Sequence, residues 1–256
     1  MPLTPDDRRS RQLPAAVLLD LDDTILDDSS RVHESWREAC AGHADRLHPL
    51  DPATVVEAIR TMSKWFWDDP DRHREGRLQL GAARREVVRL ALSTLGVDDG
   101  DLAAGIGDAY SDRRDIGMEP IPEAIETVRW LRSSGRRLAL LTNGAGAAQR
   151  KKIERFELAD LFDAILVEGE LGFGKPDERV YRRALGALDV NPSDAWMVGD
   201  NLDWDVAAPQ RAGLSGVWID ARGRGLPEKS PVRPDHIVRS LADLPSLIQL
   251  LGGGLR

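Results

Sequence analysis

Short apolar runs alternate with segments of helical spacing through the second half of the chain, and one similar run precedes them. These runs are residues 17–20, Leu138 to Leu141, Ala164 to Val167, Ala195 to Val198 and Gly216 to Ile219. Runs that are apolar on both faces indicate buried strands, and their alternation with helices predicts repeated β-α-β units. We therefore expect an α/β fold with a Rossmann-like core, in which a five-stranded parallel sheet is flanked by helices.

Helical spacing fills the intervals that follow the later strands. The predicted helices are Pro122 to Ser134, Ala147 to Phe156, Asp177 to Leu188, Asp203 to Ala212 and Leu241 to Leu251. Gly135 directly follows the first of them, at a position where glycine commonly ends a helix. The position of this glycine supports the division into strands and helices.

The pattern changes completely between residues 29 and 116, where no convincing strand interrupts a series of amphipathic stretches. The stretches are Val32 to Ala41, Pro52 to Trp67, Ala82 to Leu95 and Leu102 to Arg113. Their spacing predicts an all-helical cap domain at 29–116, inserted into a core domain made of 14–28 and 117–256. The proline-containing segment Gly117 to Pro122 is the expected return linker, and residues 1–13 are the expected polar tail.

Length, charge and cysteine content limit the classes of protein to which this chain can belong. The 256 residues are enough for a core domain plus an insert, and the net charge of −8 argues against nucleic acid or an anionic membrane surface as partner. No apolar run approaches the ~20 residues of a membrane span. A single cysteine, Cys40, and an opening stretch without an apolar segment favour a cytoplasmic protein without a secretory signal or transit peptide. We expect a monomer or small homo-oligomer.

Two acidic residues, Asp20 and Asp22, stand at the end of the first apolar run. Residues i and i+2 of an extended chain point to the same side, so these two carboxylates would crowd together. Crowded negative charges need a cation or a shared proton. The pair therefore predicts a metal site at the carboxyl end of a central strand.

Other polar groups follow the later strands in the same way. Thr142 and Asn143 end one strand, Lys175 lies in the loop after the next, and Asp200 follows the strand after that. A hydroxyl and free backbone N–H groups at a strand-to-helix turn can bind phosphate oxygens, and a lysine neutralises a further charge. Asp200 supplies a hard oxygen ligand of the kind that Mg²⁺ prefers.

These motifs resemble those of the haloacid dehalogenase (HAD) superfamily, in the same order along the chain. The matching positions are Asp20, Asp22 and Thr24; Thr142; Lys175; and Gly199, Asp200 and Asp205. A helical insert between the first and second motifs resembles the cap of the subgroup that contains phosphoglycolate phosphatases, β-phosphoglucomutases and haloacid dehalogenases. Asp23 is a departure, because the family often has glycine there.

The resemblance implies a role for each acidic residue. Asp20 would attack phosphorus and form an aspartyl-phosphate, and Asp22 would protonate the leaving oxygen and then activate water. Asp20, the backbone carbonyl of Asp22 and Asp200 would bind Mg²⁺, with Asp205 behind them orienting Lys175 or a metal-bound water. Family dehalogenases attack carbon and lack the second aspartate, so Asp22 favours phosphoryl chemistry.

The resemblance also implies that Thr142, Asn143, Lys175 and backbone amides after Asp20 hold the transferring phosphoryl group. The resulting expectation is a Mg²⁺-dependent phosphomonoester hydrolase, or phosphatase, acting on a small phosphorylated metabolite. A phosphomutase of the β-phosphoglucomutase type is the alternative, followed by a haloacid dehalogenase and a non-catalytic phosphate-sensing switch.

Fewer sequence features bear on substrate recognition. The segment from Trp65 to Arg77 concentrates aromatic residues and cations, and Arg72, Arg74 and Arg77 are equivalent candidates for a substrate contact. The alternative interpretation is that this segment is domain core followed by a solvated turn. His73 is expected to be exposed rather than a metal ligand, because no second histidine lies at metal-site spacing.

Overall fold

The computed structural model describes residues 13–253, which form two compact units. The first unit contains the chain up to Asp27 and from Glu119 onward, and the second is Asp28–Met118. The first unit is α/β and the second is helical. Each unit has its own cluster of buried apolar side chains.

The α/β unit is built on a parallel sheet. The strands of the unit are β1 (Ala16–Leu19), β2 (Leu26–Asp27), β3 (Glu119–Pro120), β4 (Arg137–Thr142), β5 (Ala164–Val167), β6 (Ala195–Gly199), β7 (Ser215–Ile219) and β8 (His236–Val238). Six of them form one sheet in the order β5-β4-β1-β6-β7-β8, with every pair parallel. The predicted parallel sheet is confirmed, but it has six strands rather than five.

The additional strand, β8, lies at the edge of the sheet and pairs only with β7. It is three residues long, and its central Ile237 is half exposed. Such a short, partly solvated edge strand lacks the continuous apolar run that marked the other five, which explains why the pattern missed it.

Strand β1 occupies the middle of the sheet. Leu19 is in register with Leu140 of β4 on one side and with Val198 of β6 on the other. All four residues of β1 are fully buried. The residues that follow β1, β4 and β6 therefore meet at one edge of the sheet, where parallel α/β proteins place their functional groups.

The helical unit contains six helices among its described residues. They are α1 (Val32–Ala41), α2 (Ala44–Leu47), α3 (Pro52–Trp67), α4 (Pro70–Leu78), α5 (Leu80–Thr94) and α6 (Gly100–Ile116). The bounds of α1 and α3 match the predicted stretches. Helix α4 lies where a solvated turn was the alternative prediction, and it begins at a strong cap: Asp69 accepts from the backbone N–H groups of Asp71 and Arg72.

Helices of the α/β unit follow the strands as predicted. They are α7 (Ala124–Ser133), α8 (Gly146–Arg155), α9 (Glu168–Leu171), α10 (Glu178–Leu188), α11 (Ala208–Arg211) and α12 (Leu244–Gly253). A π-helical turn, Leu202–Ala207, leads into α11, and its N-cap is Asn201, whose side chain accepts from the N–H groups of Asp203 and Trp204. Within residues 13–253, no helix combines the length and apolar character that a membrane crossing needs.

The chain leaves and re-enters the α/β unit through an antiparallel ribbon of β2 and β3. Leu26 pairs with Pro120 and Asp27 pairs with Glu119. The segment predicted as a return linker therefore contains a short strand.

Candidate active site

Asp20, Lys175 and Asp205 form a buried ion cluster at the carboxyl edge of the sheet. Lys175 Nζ donates to Asp20 Oδ1 and to Asp205 Oδ1, each at 2.7 Å. The exposed fraction is 2% for Lys175 and 0% for Asp205. The structure thus brings together three of the residues singled out in the sequence, from three separate segments of the chain.

Burial controls the ionisation of this cluster. Desolvation, partly offset by Lys175, raises the pKa of Asp20 to about 6. Burial alone would lower the pKa of Lys175, but the carboxylates of Asp20 and Asp205 outweigh it and raise that pKa above its usual range. Lys175 therefore remains a fixed positive charge against the face of Asp20.

Asp200 lies beside this cluster, directly after β6. It is solvent-exposed by surface area, yet it sits among enough protein atoms for desolvation to raise its pKa to about 8, with the negative charges of Asp20 and Asp205 adding to the shift. Trp218 Nε1 donates to the backbone carbonyl of Asp200 at 2.8 Å and so fixes the main chain here. Within residues 13–253, no donor hydrogen-bonds to the Asp200 carboxylate.

The acidic residues can supply oxygen ligands to a cation. Carboxylate oxygens of Asp20, Asp200 and Asp205 lie within 4.8 Å of one another. Both carboxylate oxygens of Asp205 already accept hydrogen bonds. Oδ1 accepts one from Lys175, and Oδ2 accepts one from the backbone N–H of Asn201 at 3.0 Å. Asp20 and Asp200 are therefore the better ligands, because carboxylates are the hard oxygen ligands that Mg²⁺ prefers. Burial and neighbouring negative charges raise the pKa of both residues, and a bound cation would offset that crowding.

Gly199 keeps Asp205 close to the end of β6. A Cβ atom at this position would collide with the Asp205 carboxylate. Only a residue without a side chain allows this close approach, which explains in physical terms why glycine precedes Asp200.

Asn143 fixes the backbone of Lys175. Its Nδ2 donates to the Lys175 carbonyl at 2.7 Å, and its Oδ1 accepts from the Lys175 N–H at 2.9 Å. Gly174 permits this contact, because a Cβ atom there would overlap Asn143 Oδ1. The structure gives the Asn143 side chain a positioning contact, and the second hydrogen of Nδ2 is the side-chain donor left for its predicted contact with phosphate.

The Asp22 carboxylate is held by two side chains of α8. Lys152 Nζ donates to Asp22 Oδ1 at 2.7 Å, and Gln149 Nε2 lies 2.8 Å from Asp22 Oδ2. Gln149 also donates to Thr142 Oγ1 at 2.5 Å, so one amide links the ends of the first and second motifs. Lys152 and Gln149 were not among the predicted site residues. Their spacing of three places them on one face of α8, which is the signal that could have found them.

The turn after Asp20 has a conformation that favours glycine. Asp23 has a φ of 58°, in the left-handed region, and its N–H donates to the Leu26 carbonyl at 2.7 Å. Aspartate is one of the few other residues that tolerate this region, so the departure at Asp23 preserves the turn. The buried Thr24 hydroxyl lies 3.5 Å from Asp20 Oδ2.

The arginines predicted as substrate contacts are mostly engaged within the helical unit. Arg72 donates to the Trp65 carbonyl at 2.6 Å, and its guanidinium stacks 3.7 Å from the centre of the Trp65 ring. Arg74 pairs with Asp71 at 3.2 Å. His73 is half-buried rather than exposed, with its ring packed edge-on to Trp67. These contacts favour a structural role for the segment.

Comparisons with known proteins agree with the motifs. The family model of haloacid dehalogenase-like hydrolases matches residues 14–213. The chain is 40% identical over 261 residues to the phosphoserine phosphatase of Thermus thermophilus, covering 89% of this chain and 96% of that protein. It is 42% identical over 245 residues to the N-acylneuraminate-9-phosphatase of Rattus norvegicus, covering 91% and 93%.

Solved structures show the same fold. A 2-haloacid dehalogenase from Pseudomonas syringae has 28% identity and a TM-score of 0.61, over 93% of this chain and 99% of that one. A HAD hydrolase from Bacillus subtilis, determined with bound magnesium, has 21% identity and a TM-score of 0.72, with the same coverage. The predicted resemblance is confirmed, and the chain belongs to the haloacid dehalogenase-like hydrolase family.

Proposed function

We propose that this protein is a Mg²⁺-dependent phosphatase that hydrolyses a small phosphorylated metabolite through an aspartyl-phosphate on Asp20. The observation that carries the proposal is that Asp20 and Asp22 are held by different sets of neighbours. Asp20 lies against a buried lysine and beside Asp200, whereas Asp22 is bound by separate donors on α8. The phosphatase names of the two relatives above support the same chemistry.

In the first step, an Asp20 carboxylate oxygen attacks phosphorus, and the bond from phosphorus to the alcohol oxygen breaks. Oδ1 accepts a hydrogen bond from Lys175 at 2.7 Å, whereas the Thr24 hydroxyl lies 3.5 Å from Oδ2, so Oδ2 is the less encumbered oxygen for attack. Asp22 enters this step protonated, having taken up a proton from solvent, and gives it to the leaving alcohol. In the second step, Asp22 takes a proton from water as the water attacks the aspartyl-phosphate, which releases phosphate and restores Asp20.

Like-charge repulsion is the main obstacle to the first step, because a carboxylate must approach an anionic phosphate. Lys175 opposes it with a positive charge that burial holds in place. Mg²⁺ bound by Asp20 and Asp200 would supply further positive charge. Asn143 keeps Lys175 aligned through its backbone, so the lysine needs little reorganisation during the reaction.

The helical unit is proposed to be the cap that selects the substrate. The predicted domains were 29–116 for the cap and 14–28 with 117–256 for the core, and the compact helical unit is Asp28–Met118. The helical unit is inserted between β2 and β3, and it begins only a few residues after Asp20, which directly follows β1. A cytoplasmic location and a monomeric or small homo-oligomeric state stay predictions.

A panel of phosphate esters tests the function. We expect phosphate release from at least one of phosphoserine, N-acylneuraminate 9-phosphate, glyceraldehyde 3-phosphate, phosphoglycolate, sugar phosphates and nucleotides. Release without a bisphosphate activator would exclude an obligate phosphomutase. Absence of turnover across the panel would contradict the phosphatase and favour a phosphate-sensing switch, whereas halide release from 2-chloropropionate would favour a dehalogenase.

Removing divalent metal is expected to abolish turnover reversibly. Treatment with EDTA followed by gel filtration should reduce phosphate release to background, because the positive charge that offsets repulsion between the Asp20 carboxylate and the phosphate would be lost, and added Mg²⁺ should restore it. Ca²⁺ is the matched control, since it binds oxygen ligands with longer, less regular geometry. Full activity after chelation, with metal content verified by mass spectrometry, would contradict a metal requirement.

Lys152→Met is expected to impair proton donation by Asp22. Without the ion pair the carboxylate loses a fixed orientation, so turnover of an alkyl phosphate should fall by about tenfold or more, a part of the 10²–10⁴ that a general acid supplies. Hydrolysis of p-nitrophenyl phosphate should fall much less, because its leaving group needs little protonation. The measurement is the ratio of kcat for the two substrates.

Lys151→Met is the matched control for this variant, because Lys151 is the exposed neighbour on the same helix. Lys152→Arg should recover part of the alkyl phosphatase activity by restoring a cation. An equal loss on both substrates would show that Lys152 acts on the whole site and not through Asp22.

A further inference from the structure

The helical unit encloses a cavity that the proposed chemistry does not use. Its volume is about 280 Å³, and its lining includes Asp28, Trp36, Trp67, Arg84, Tyr110 and Arg114. This is slightly below the range of about 300–1,000 Å³ that is typical of pockets for drug-sized ligands. A small metabolite is therefore the appropriate size of occupant.

Aromatic side chains form part of the cavity wall. Trp36 and Tyr110 both contribute lining atoms, and their buried rings stack on each other with centroids 3.5 Å apart and planes 5° from parallel, which holds both in place. Trp67 is only partly buried and adds a further aromatic surface. Such a wall favours a planar or apolar ligand body.

Arg114 presents a buried guanidinium to the cavity. Only 7% of the residue is exposed, and Nη1 donates to the Tyr110 hydroxyl at 2.7 Å. Nη2 lies 3.0 Å from Asp28 Oδ2 as an ion pair, and apart from that contact this nitrogen, which carries two hydrogens, has no hydrogen-bond partner among the described residues. Arg114 therefore has its charge balanced by Asp28 while one nitrogen keeps donor capacity.

Arg84 has no such balance. Its guanidinium lies 5.0 Å from the centre of the Tyr110 ring, and within residues 13–253 no carboxylate comes within 4.0 Å of it. Asp28 and Asp115 act on it only at longer range, and burial lowers its pKa. The lining then holds two guanidinium groups and one carboxylate, which leaves a single positive charge in a partly desolvated space.

We propose that this cavity binds a small organic monoanion, a carboxylate carried on a planar or apolar body. The carboxylate pairs with Arg84 and the spare donor of Arg114, and the body lies against the wall formed by Trp36 and Tyr110. An arginine fork matches a carboxylate in shape as well as in charge. The proposal is argued from residues of the helical unit alone, and its binding test requires no turnover.

Calorimetric titration of the full chain tests the site without requiring turnover. The probes are benzoate, nicotinate and indole-3-carboxylate, each compared with its uncharged amide. We expect at least one acid to bind more tightly than its amide, and Arg84→Gln to raise its Kd by about tenfold or more, as loss of a charge-assisted hydrogen bond predicts.

Arg85→Gln is the matched control. Arg85 is the next residue of the same helix, is exposed, and pairs with Asp108 through contacts of 2.7 and 2.8 Å. It should bind the acids as the wild-type protein does. Binding by none of the three acids, equal binding of acids and amides, or unchanged binding by Arg84→Gln would each overturn the proposal.

Two sources can supply such an anion, and kinetics separates them. If the carboxylate belongs to the substrate's own leaving group, which would make the site part of the proposed phosphatase, the bound acid should compete with substrate. Arg84→Gln should then raise KM for a carboxylate-bearing ester that the enzyme hydrolyses more than for p-nitrophenyl phosphate. If the anion is a separate effector, the acid should bind without raising KM for either substrate. Both results support the site.

Discussion

Asp20→Asn is expected to lower kcat by roughly four to six orders of magnitude, the scale of loss when a covalent nucleophile is removed. The amide is nearly the same size as the carboxylate but has no negative charge with which to attack phosphorus. In the wild-type protein, acid quenching during turnover should trap a phosphoryl group on the peptide that contains Asp20, and the variant should show none. The measurement combines steady-state phosphate release with mass spectrometry of the quenched peptide.

The fold should survive this substitution. Burial already disfavours the charged form of Asp20, as its pKa of about 6 indicates, and Lys175 keeps its second partner, Asp205. Asp23→Asn is the matched control, because it removes a nearby negative charge while retaining a residue that tolerates the left-handed turn. Substantial activity in Asp20→Asn, together with full activity in the control, would refute the nucleophile assignment.

Lys175→Met is expected to be the most damaging substitution for stability. It leaves Asp20 and Asp205 facing each other without their shared cation, in a site where Lys175 is 2% exposed. Removing one partner of a buried ion pair typically costs about 3–5 kcal/mol. We expect a loss of that size in the free energy of unfolding at neutral pH, and kcat close to background.

The pH dependence of this loss identifies its cause. The pKa of Asp20 is raised on folding from 3.8 to about 6, so its contribution to stability is complete below about pH 4 and declines as pH rises through 6. Without Lys175 the folded pKa should rise further, and the decline should become larger and extend to higher pH. The variant should therefore recover much of its stability in mild acid, as measured by urea unfolding at several pH values.

Lys151→Met provides the comparison for this experiment, because it removes an exposed lysine from the same protein. It should unfold at nearly the wild-type urea concentration at every pH. A Lys175→Met protein whose stability deficit did not change with pH would indicate lost packing of the lysine chain rather than unpaired carboxylates.

Sequence predicted the sheet and the charged cluster because both depend on short-range signals. A central strand such as β1 needs apolar residues on both faces, and that requirement leaves a visible run at Ala16–Leu19. Once parallel strands are ordered side by side, the residues after β1 and β6 must meet, which places Asp20 near Asp200. The contact between Asp205 and Lys175 was expected from the family resemblance, which has Asp205 orienting Lys175 or a metal-bound water.

Contacts between residues far apart in the chain have no comparable signal in the sequence pattern. Gln149 and Lys152 occupy positions that could equally face solvent, and their contact with Asp22 depends on how α8 packs against the strand ends. Arg84 likewise resembles its neighbour Arg85 in sequence, although of these two residues Arg85 alone has a carboxylate within 4.0 Å in the part of the chain that the structure describes. Helix rotation distinguishes such neighbours, and rotation is set by tertiary packing that local patterns do not encode.

Because β2 and β3 pair with each other, the helical insert could be replaced without changing the sheet. Because Asp27 and Glu119 are partners in an antiparallel ladder, the two ends of the insert are held about 5 Å apart by backbone hydrogen bonds. A tight hairpin turn, or a different inserted domain, could join those ends without disturbing β1 or the charged cluster. The architecture thus allows the α/β unit and the helical unit to diversify at different rates, by recombination at this two-residue ladder.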